Sequence, residues 1–454
     1  MKKIKVLIVS VLAGSGHNSA ADFLSQHLAN YPQFEVIRYT NPSKKMDSVY
    51  NQMTKYIPFF QNFIVKTSPV ITADVINLAN IEFAYDALKQ LRLHKPDIVI
   101  STHFFITNTY RIASWVNGVY PIIMSTFLDY GRQWLAAIPY NIYMRSDYSI
   151  VYDSLAQESL KKIAKQKPEY IILSGHDCRV EFKEAKFLYK TKEQAKIALK
   201  QKFAQDFYSQ LSPTKKTIII AGGGGGTMNK SYKLLKAIAR RQVENLSLLD
   251  EYQVLVICGQ NRNYYKKILK TRNKKLSWQN IFPFAWLSAD EYALIQRSAD
   301  FPILFGIAPA TLHELCETEC GPLIIHKVRA NHEFENVKFV EEHRLGSFIK
   351  NVEEVVDAII SNKLINQQSQ FVNNAEKVLA KEAKSLEAFA QEVEKAYQDK
   401  DKKRGMIYEV GFLQKLASVF LVIITLLFYY IYTIISWSKL VIAKIISLLK
   451  SVKG

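Results

Sequence analysis

The chain has 454 residues, 48% of them hydrophobic and 22% charged, which is too long for one ordinary core and too apolar for extended disorder. Its formal net charge of +19 implies a polyanionic partner, either nucleic acid or an anionic membrane surface. Four scattered cysteines, Cys178, Cys258, Cys316 and Cys320, exclude a disulfide framework and read as reduced, mostly buried thiols.

Met1-Lys2-Lys3-Ile4-Lys5 and the apolar residues 6–13 have the outline of a signal peptide. The β-branched run is short, however, and a helical pattern over 19–29 follows directly, so a buried first strand over 5–11 is the better reading. Further strands are expected at 34–39, Ile98–Ser101, 121–125, 148–152 and 170–173, with helices between them, one over 81–93. Such alternation predicts a parallel sheet with helices on both faces. Gly14-Ser15-Gly16-His17 lies where the first strand turns into a helix. There Gly14 and Gly16 let the backbone approach a ligand, and His17 is a candidate general base titrating near neutrality. A close-packed turn would need the same glycines. His103 and Asp129 each follow a strand. Asp129 is a second candidate base, or else a helix cap.

The interval 41–79 breaks the alternation. Lys44, Lys45, Lys55 and Lys66 are interleaved there with Phe59, Phe60 and other apolar side chains. Phosphate contacts with base stacking, a lipid surface, or a solvated helical face would each suit it. No nucleic-acid-binding motif accompanies it, which favours the membrane over nucleic acid.

A second alternation starts after a lysine-rich helical stretch at 191–209. Strands are expected at 217–221, 252–258, 281–285, Phe301–Phe305 and 322–325, and helices at 230–239, 264–270 and 290–297. Between the first strand and its helix stand Gly222, Gly223, Gly224, Gly225 and Gly226. Five consecutive glycines are costly in chain entropy and suit a close approach to a diphosphate or sugar. After Phe305, Thr311 and Glu314 fit a capping box, with Thr311 as N-cap of the next helix. Cys316 and Cys320 share a face of that helix, but no second pair or histidine completes a zinc site with them. Past the 322–325 strand a polar loop holding His332, Glu333 and Asn336 is expected just before another helix. A helix N-terminus with a nearby carboxylate, at the carboxyl ends of strands, suits the phosphates and ribose hydroxyls of a nucleotide sugar.

Residues 352–399 read as helical and charged, and 400–404 as a polar run. Residues 416–438 contain no charged side chain and are long enough to span a hydrocarbon core. Residues 439–453 form a basic amphipathic piece suited to an anionic surface. The expected organisation is therefore two α/β domains, 1–180 and 181–399, a linker at 400–415, a hydrophobic membrane segment at 416–438 and a basic tail at 439–454.

These pieces, in this order, resemble the diacylglycerol glycosyltransferases and monogalactosyldiacylglycerol synthases of glycosyltransferase family 28. The resemblance covers roughly residues 4–395. Gly14-Ser15-Gly16-His17-Asn18-Ser19-Ala20-Ala21 resembles the family's G-G-G-H-x-x-A-A loop, and Pro96-Asp97-Ile98-Val99-Ile100-Ser101-Thr102-His103 its P-D-x-I-I-S-x-H strand. Val256-Ile257-Cys258-Gly259-Gln260-Asn261 is similar to V-x-C-G-R-N, and Glu333-Phe334-Glu335-Asn336 to Q-E-x-G-N. Thr126 to Trp134 resembles T-D-x-x-x-H-x-x-W at altered spacing, without its histidine. Ala308-Pro309-Ala310-Thr311 resembles G-P-G-T with two glycines replaced by alanine.

The resemblance implies two Rossmann-like domains of GT-B type with a donor cleft between them. Glu314 would hold the uridine ribose, and Thr311, Glu333 and Asn336 would lie near the diphosphate and sugar. Gly222 to Gly226 would line the cleft, while 41–79 would meet the bilayer and the lipid acceptor. The implied reaction is inverting transfer of a hexose from a UDP-sugar to a lipid hydroxyl at the cytoplasmic face of the cell membrane, with His17 or Asp129 as base. No D-x-D pair stands in a suitable loop, so the expected chemistry uses no metal or other cofactor, and helix N-termini or a cation such as Arg262 would stabilise the leaving diphosphate. A sugar-nucleotide epimerase and a non-catalytic membrane protein with a degenerate nucleotide fold are the alternatives.

Overall fold

The computed structural model describes residues 2–11, 15–41, 81–131, 146–163, 166–222, 231–244, 251–328, 333–361 and 363–399. The first domain is a six-stranded sheet of β1 (Ile4–Val11), β2 (Phe34–Asn41), β3 (Ile98–Ser101), β4 (Ile122–Thr126), β5 (Tyr148–Val151) and β6 (Ile171–Leu173). Its order is β2-β1-β3-β4-β5-β6, and every neighbouring pair is parallel. Every residue of β3, β4 and β5 is buried, which explains their unbroken apolar runs: helices cover both faces. Val6, Ile8, Ile98, Ile100 and Met124 pack on one face, Leu7, Val9, Val99 and Ile123 on the other. The connecting helices are α1 (Ser15–Ala29), α2 (Ile81–His94), α3 (Phe104–Asn117) and α4 (Ser154–Ile163).

The second domain repeats the plan with β7 (Lys216–Ala221), β8 (Tyr252–Ile257), β9 (Ile281–Phe284), β10 (Phe301–Phe305), β11 (Leu323–Lys327) and β12 (Gly346–Phe348). The strands are all parallel, in the order β12-β11-β10-β7-β8-β9. Helices α5 (Val180–Leu188) and α6 (Lys192–Lys202) precede the sheet. Within and after it come α7 (Ser231–Glu244), α8 (Arg262–Arg272), α9 (Ala289–Ser298), α10 (Pro309–Glu317), α11 (Glu333–Glu342), α12 (Val352–Ile360), α13 (Lys363–Asn366) and α14 (Gln368–Gln398).

Each sheet has one place where the direction of winding reverses: between β1 and β3 in the first, and between β7 and β10 in the second. Chain segments leaving the carboxyl ends of those strand pairs diverge and leave a crevice, where open α/β sheets take their ligands. The domains are joined by α14. Its Phe371, Ala375 and Val378 belong to the second domain's core, whereas Phe389, Ala390, Val393 and Ala396 belong to the first's.

Most expected strands are present with ends moved by a residue or two. The three-residue β12 was not expected, because Gly346-Ser347-Phe348 carries no apolar run. The helical stretch expected over 352–399 is present, as three helices. The capping box at Thr311 is overturned: the N-cap lies three residues earlier, at Ala308, with Pro309 in the first turn of α10 and no side-chain cap. Proline's fixed φ and missing N–H suit the first helical position, and that outweighs the Thr311–Glu314 pattern. The hydrophobic segment 416–438 and the tail 439–454 lie outside the described residues. Among the described residues no helix is long and apolar enough to cross a membrane.

Candidate active site at the carboxyl ends of the two sheets

At the first crevice, α1 starts at Ser15, so His17 stands in its first turn rather than in a preceding loop. His17 Nδ1 lies 2.6 Å from the carbonyl oxygen of Thr102, just past β3. A carbonyl only accepts, so Nδ1 carries the proton and Nε2 is the basic nitrogen. The Thr102 hydroxyl in turn donates to the His17 carbonyl at 3.0 Å, which ties the two sides of the crevice together. His103 packs its ring 4.4 Å from that of His17. His103 is buried, and burial together with the His17 charge holds its pKa well below the usual range, so it is neutral. Gly16 is exposed, and a Cβ there would meet nothing within 4 Å among the described residues. Packing therefore does not require glycine at this position.

At the second crevice, Gly222 directly follows β7 and is buried. Beyond β10, Gly306 has φ +127°, open only to glycine, and turns the chain into α10. Ala308 is extended at φ −127°, ψ 155°, and Ala310 is already helical. Neither alanine stands where the backbone needs glycine; the freedom is supplied by Gly306 instead. α10 has no side-chain cap, and first-turn N–H groups such as those of Ala310 and Thr311 have no intrahelical acceptor, which suits them to an anion. Thr311 is half-buried in that turn.

Glu314, one turn further along α10, is buried and paired with Arg179, whose Nε and Nη2 lie 2.9 and 2.8 Å from Oε1. Burial pushes the Glu314 carboxyl up to about 7, against the opposing pull of Arg179. α1 and α10 are in contact. Asn336 on α11 is completely buried between the domains. It accepts from the Tyr130 N–H at 2.9 Å and donates to Asp129 Oδ1 at 2.9 Å and to the Ile307 carbonyl at 3.1 Å. Its amide thus holds the end of β4 against the loop after β10. A sugar hydroxyl would reach Asn336 only by displacing these partners. Asp129 is half-buried beside it, while Glu333 is buried at the start of α11.

Residues 17–150 match the monogalactosyldiacylglycerol (MGDG) synthase family. The match runs from the histidine of the first crevice into β5, so it spans most of the first sheet and does not reach the second. No curated protein matches the chain in sequence. Among solved structures, a glycosyltransferase from Rickettsia africae ESF-5 is similar with a TM-score of 0.55 and 13% identity, over 88% of this chain and 99% of that one. UDP-GlcNAc 2-epimerase from Neisseria meningitidis bound to UDP-GlcNAc follows at 0.50 and 10%, over 84% and 99%. The MnaA–UDP co-structure from S. aureus stands at 0.50 and 13%, over 84% and 95%. At such identities these likenesses establish the fold: two Rossmann-like domains of GT-B type.

Of the candidate residues, His17, His103 and Gly16 come together at the first crevice, and Gly222, Thr311 and Glu314 around the second. Asp129 and Asn336 meet at the domain junction. Asn261 caps α8 by accepting from the Tyr264 N–H at 3.0 Å, a structural use of the family-like V-x-C-G-x-N strand end. Gly14, Gly223 to Gly226, and Lys44, Lys45, Lys55, Phe59, Phe60 and Lys66 lie outside the described residues. Sequence reasoning missed Gly306, whose signal was a glycine directly after a buried strand. It also missed the junction group of Arg179, His176, His313 and Glu382, which carries no spacing signal because its members come from three distant segments.

Proposed function

We propose that this protein transfers a hexose, with inversion, from a UDP-sugar to the hydroxyl of a lipid such as diacylglycerol. The observation that carries the reading is the MGDG synthase-like His17 at one topological switch point, with an uncapped helix N-terminus at the other, in a fold where α1 and α10 touch. UDP and UDP-GlcNAc in the solved structures named above support a nucleotide-sugar donor on this fold.

In the proposed reaction His17 Nε2 accepts the proton of the lipid hydroxyl while Thr102 holds Nδ1–H in place. The acceptor oxygen bonds to the anomeric carbon from the face opposite the leaving group, and the bond from that carbon to the UDP oxygen breaks. The added charge on the diphosphate falls on the first-turn N–H groups of α10. Glu314 would exchange Arg179 for ribose hydroxyls, leaving the guanidinium near the diphosphate. The net charge of +19 supports a working position on an anionic bilayer at its cytoplasmic face, where nucleotide sugars are available.

The test is transfer of labelled hexose from UDP-glucose and UDP-galactose to a panel of lipids, with Glu314→Ala alongside. A labelled glycolipid that the variant does not form supports the reading. Conversion of a UDP-sugar into its epimer without any lipid product would replace it with an epimerase, as one of the similar folds named above is.

A further inference from the structure

We propose that Asp177, Cys178, His313 and Glu317 form a four-ligand zinc site that staples the loop after β6 to α10, and so one domain to the other. One ligating atom from each of these residues lies within 4.8 Å of all the others. A tetrahedral zinc ion with bonds of about 2.0–2.3 Å needs its ligand atoms roughly 3.3–3.8 Å apart, so side-chain rotations of about an ångström close the set. His313 and Glu317 are four apart on α10 and share a face. Asp177 and Cys178 sit in the segment between β6 and α5.

The second observation concerns His313, which is 3% exposed. Its Nε2 pairs with Glu382 at 2.9 Å, whereas Nδ1 is buried with no partner among the described residues. With Nε2 committed, Nδ1 is the nitrogen left for the cluster. A ring nitrogen held by a carboxylate while the other is turned to an ion is the usual support of a zinc-bound imidazole. The Cys178 thiol is raised by its burial and then by the charges of Glu317 and Asp177. A divalent cation among these acids would reverse that balance and favour the thiolate. One thiolate, one imidazole and two carboxylates select zinc over magnesium or calcium, and four protein ligands leave no open position, so the role is structural. Asp177 Oδ2 lies 2.6 Å from Lys183, and Oδ1 accepts from the Cys178 N–H at 2.8 Å. Binding therefore requires the half-exposed Lys183 ammonium to move aside. The thiol concerned is Cys178, not the Cys316–Cys320 pair that the sequence brings to notice.

The full-length protein, stripped with a chelator, should take up one equivalent of Zn²⁺ in competition with a chromophoric chelator, with release of protons. Loaded instead with Co²⁺, it should show thiolate-to-cobalt charge-transfer absorption. Cys178→Ser should abolish that absorption, and both Cys178→Ser and Glu317→Gln should weaken Zn²⁺ by at least the roughly 10–100-fold that loss of an outer-shell partner costs. Both changes are at half-buried positions, so each variant is first shown to fold by its circular dichroism. Zn²⁺ should raise the unfolding temperature of the parent and not of Cys178→Ser. Absence of stoichiometric Zn²⁺ binding, or equal binding by parent and Cys178→Ser, overturns the proposal. None of these readouts depends on sugar transfer.

Discussion

In the proposed transfer, His17 is the residue on which the chemistry turns. Its Nδ1 is fixed by the Thr102 carbonyl, so orientation and tautomer are set before any substrate arrives. His17→Ala should lower kcat by about 10²–10⁴-fold, the usual contribution of a positioned base, with little change in donor affinity. Steady-state kinetics at fixed lipid concentration would check this, and an unchanged kcat would assign the base elsewhere, with Asp129 next in line. Gly16→Ala separates packing from function. Among the described residues a Cβ there meets nothing, and alanine is preferred in a helix by about 0.5–1 kcal/mol, so thermal stability should hold or rise. Activity should nevertheless fall if the space over Gly16 belongs to the substrate.

Glu314 gives a pH signature. Its folded pKa, raised to about 7 from 4.5, means that the fold prefers the protonated carboxyl. The stability this confers is fully present below pH 4.5 and is lost as pH rises through about 7, by at most about 3 kcal/mol. Glu314→Gln, which cannot ionise, should therefore gain on the parent between pH 5 and pH 8 in urea midpoints. A constant difference across that range would show that Arg179 keeps the carboxylate ionised throughout.

At the scale of elements, the places where a helix begins decide the site. The start of α10 was misjudged from sequence because the Thr311–Glu314 spacing competes with Pro309 at the first helical position, and proline's backbone restriction wins. The unbroken apolar runs of β3, β7 and β10 were legible, because strands buried on both faces leave no room for polar side chains. The return of α14 across both domains was not legible: its buried residues repeat at helical spacing whichever sheet they meet. The loop that receives it makes a sharp prediction. Gly175 has φ +63°, and a Cβ there would lie 2.3 Å from the Glu382 backbone carbonyl. Gly175→Ala must push loop and helix apart, and should lower the unfolding temperature while releasing the Tyr130, His176 and His313 bonds to Glu382. Faster amide exchange in 385–396 would report the release. Protection equal to the parent's would mean that α14 is held by its apolar face alone.

For the whole molecule, the question is how two sheets share one site. Asn336 bridges Asp129 and Tyr130 of the first domain to Ile307 of the second, with every polar atom of its amide used. Asn336→Ala leaves the buried Tyr130 N–H without that acceptor and should cost about 1–3 kcal/mol in chemical unfolding. A loss below half a kcal/mol would show that the junction re-forms around water. Two α/β domains, and the motifs at their switch points, were readable because alternation and glycine turns are local features. The junction was not, since Arg179, His313, Asn336 and Glu382 converge only through tertiary packing.

The central claim, that His17 at the first crevice and the α10 N-terminus at the second serve one hexosyl transfer, is tested most directly by product analysis. Purified full-length protein would be given labelled UDP-glucose or UDP-galactose and diacylglycerol in anionic vesicles, with His17→Ala and Glu314→Ala in parallel. The account predicts a labelled glycolipid of inverted anomeric configuration from the parent and about 10²-fold or more loss in His17→Ala. UDP binding without glycolipid, or a glycolipid formed equally well by both variants, would contradict it.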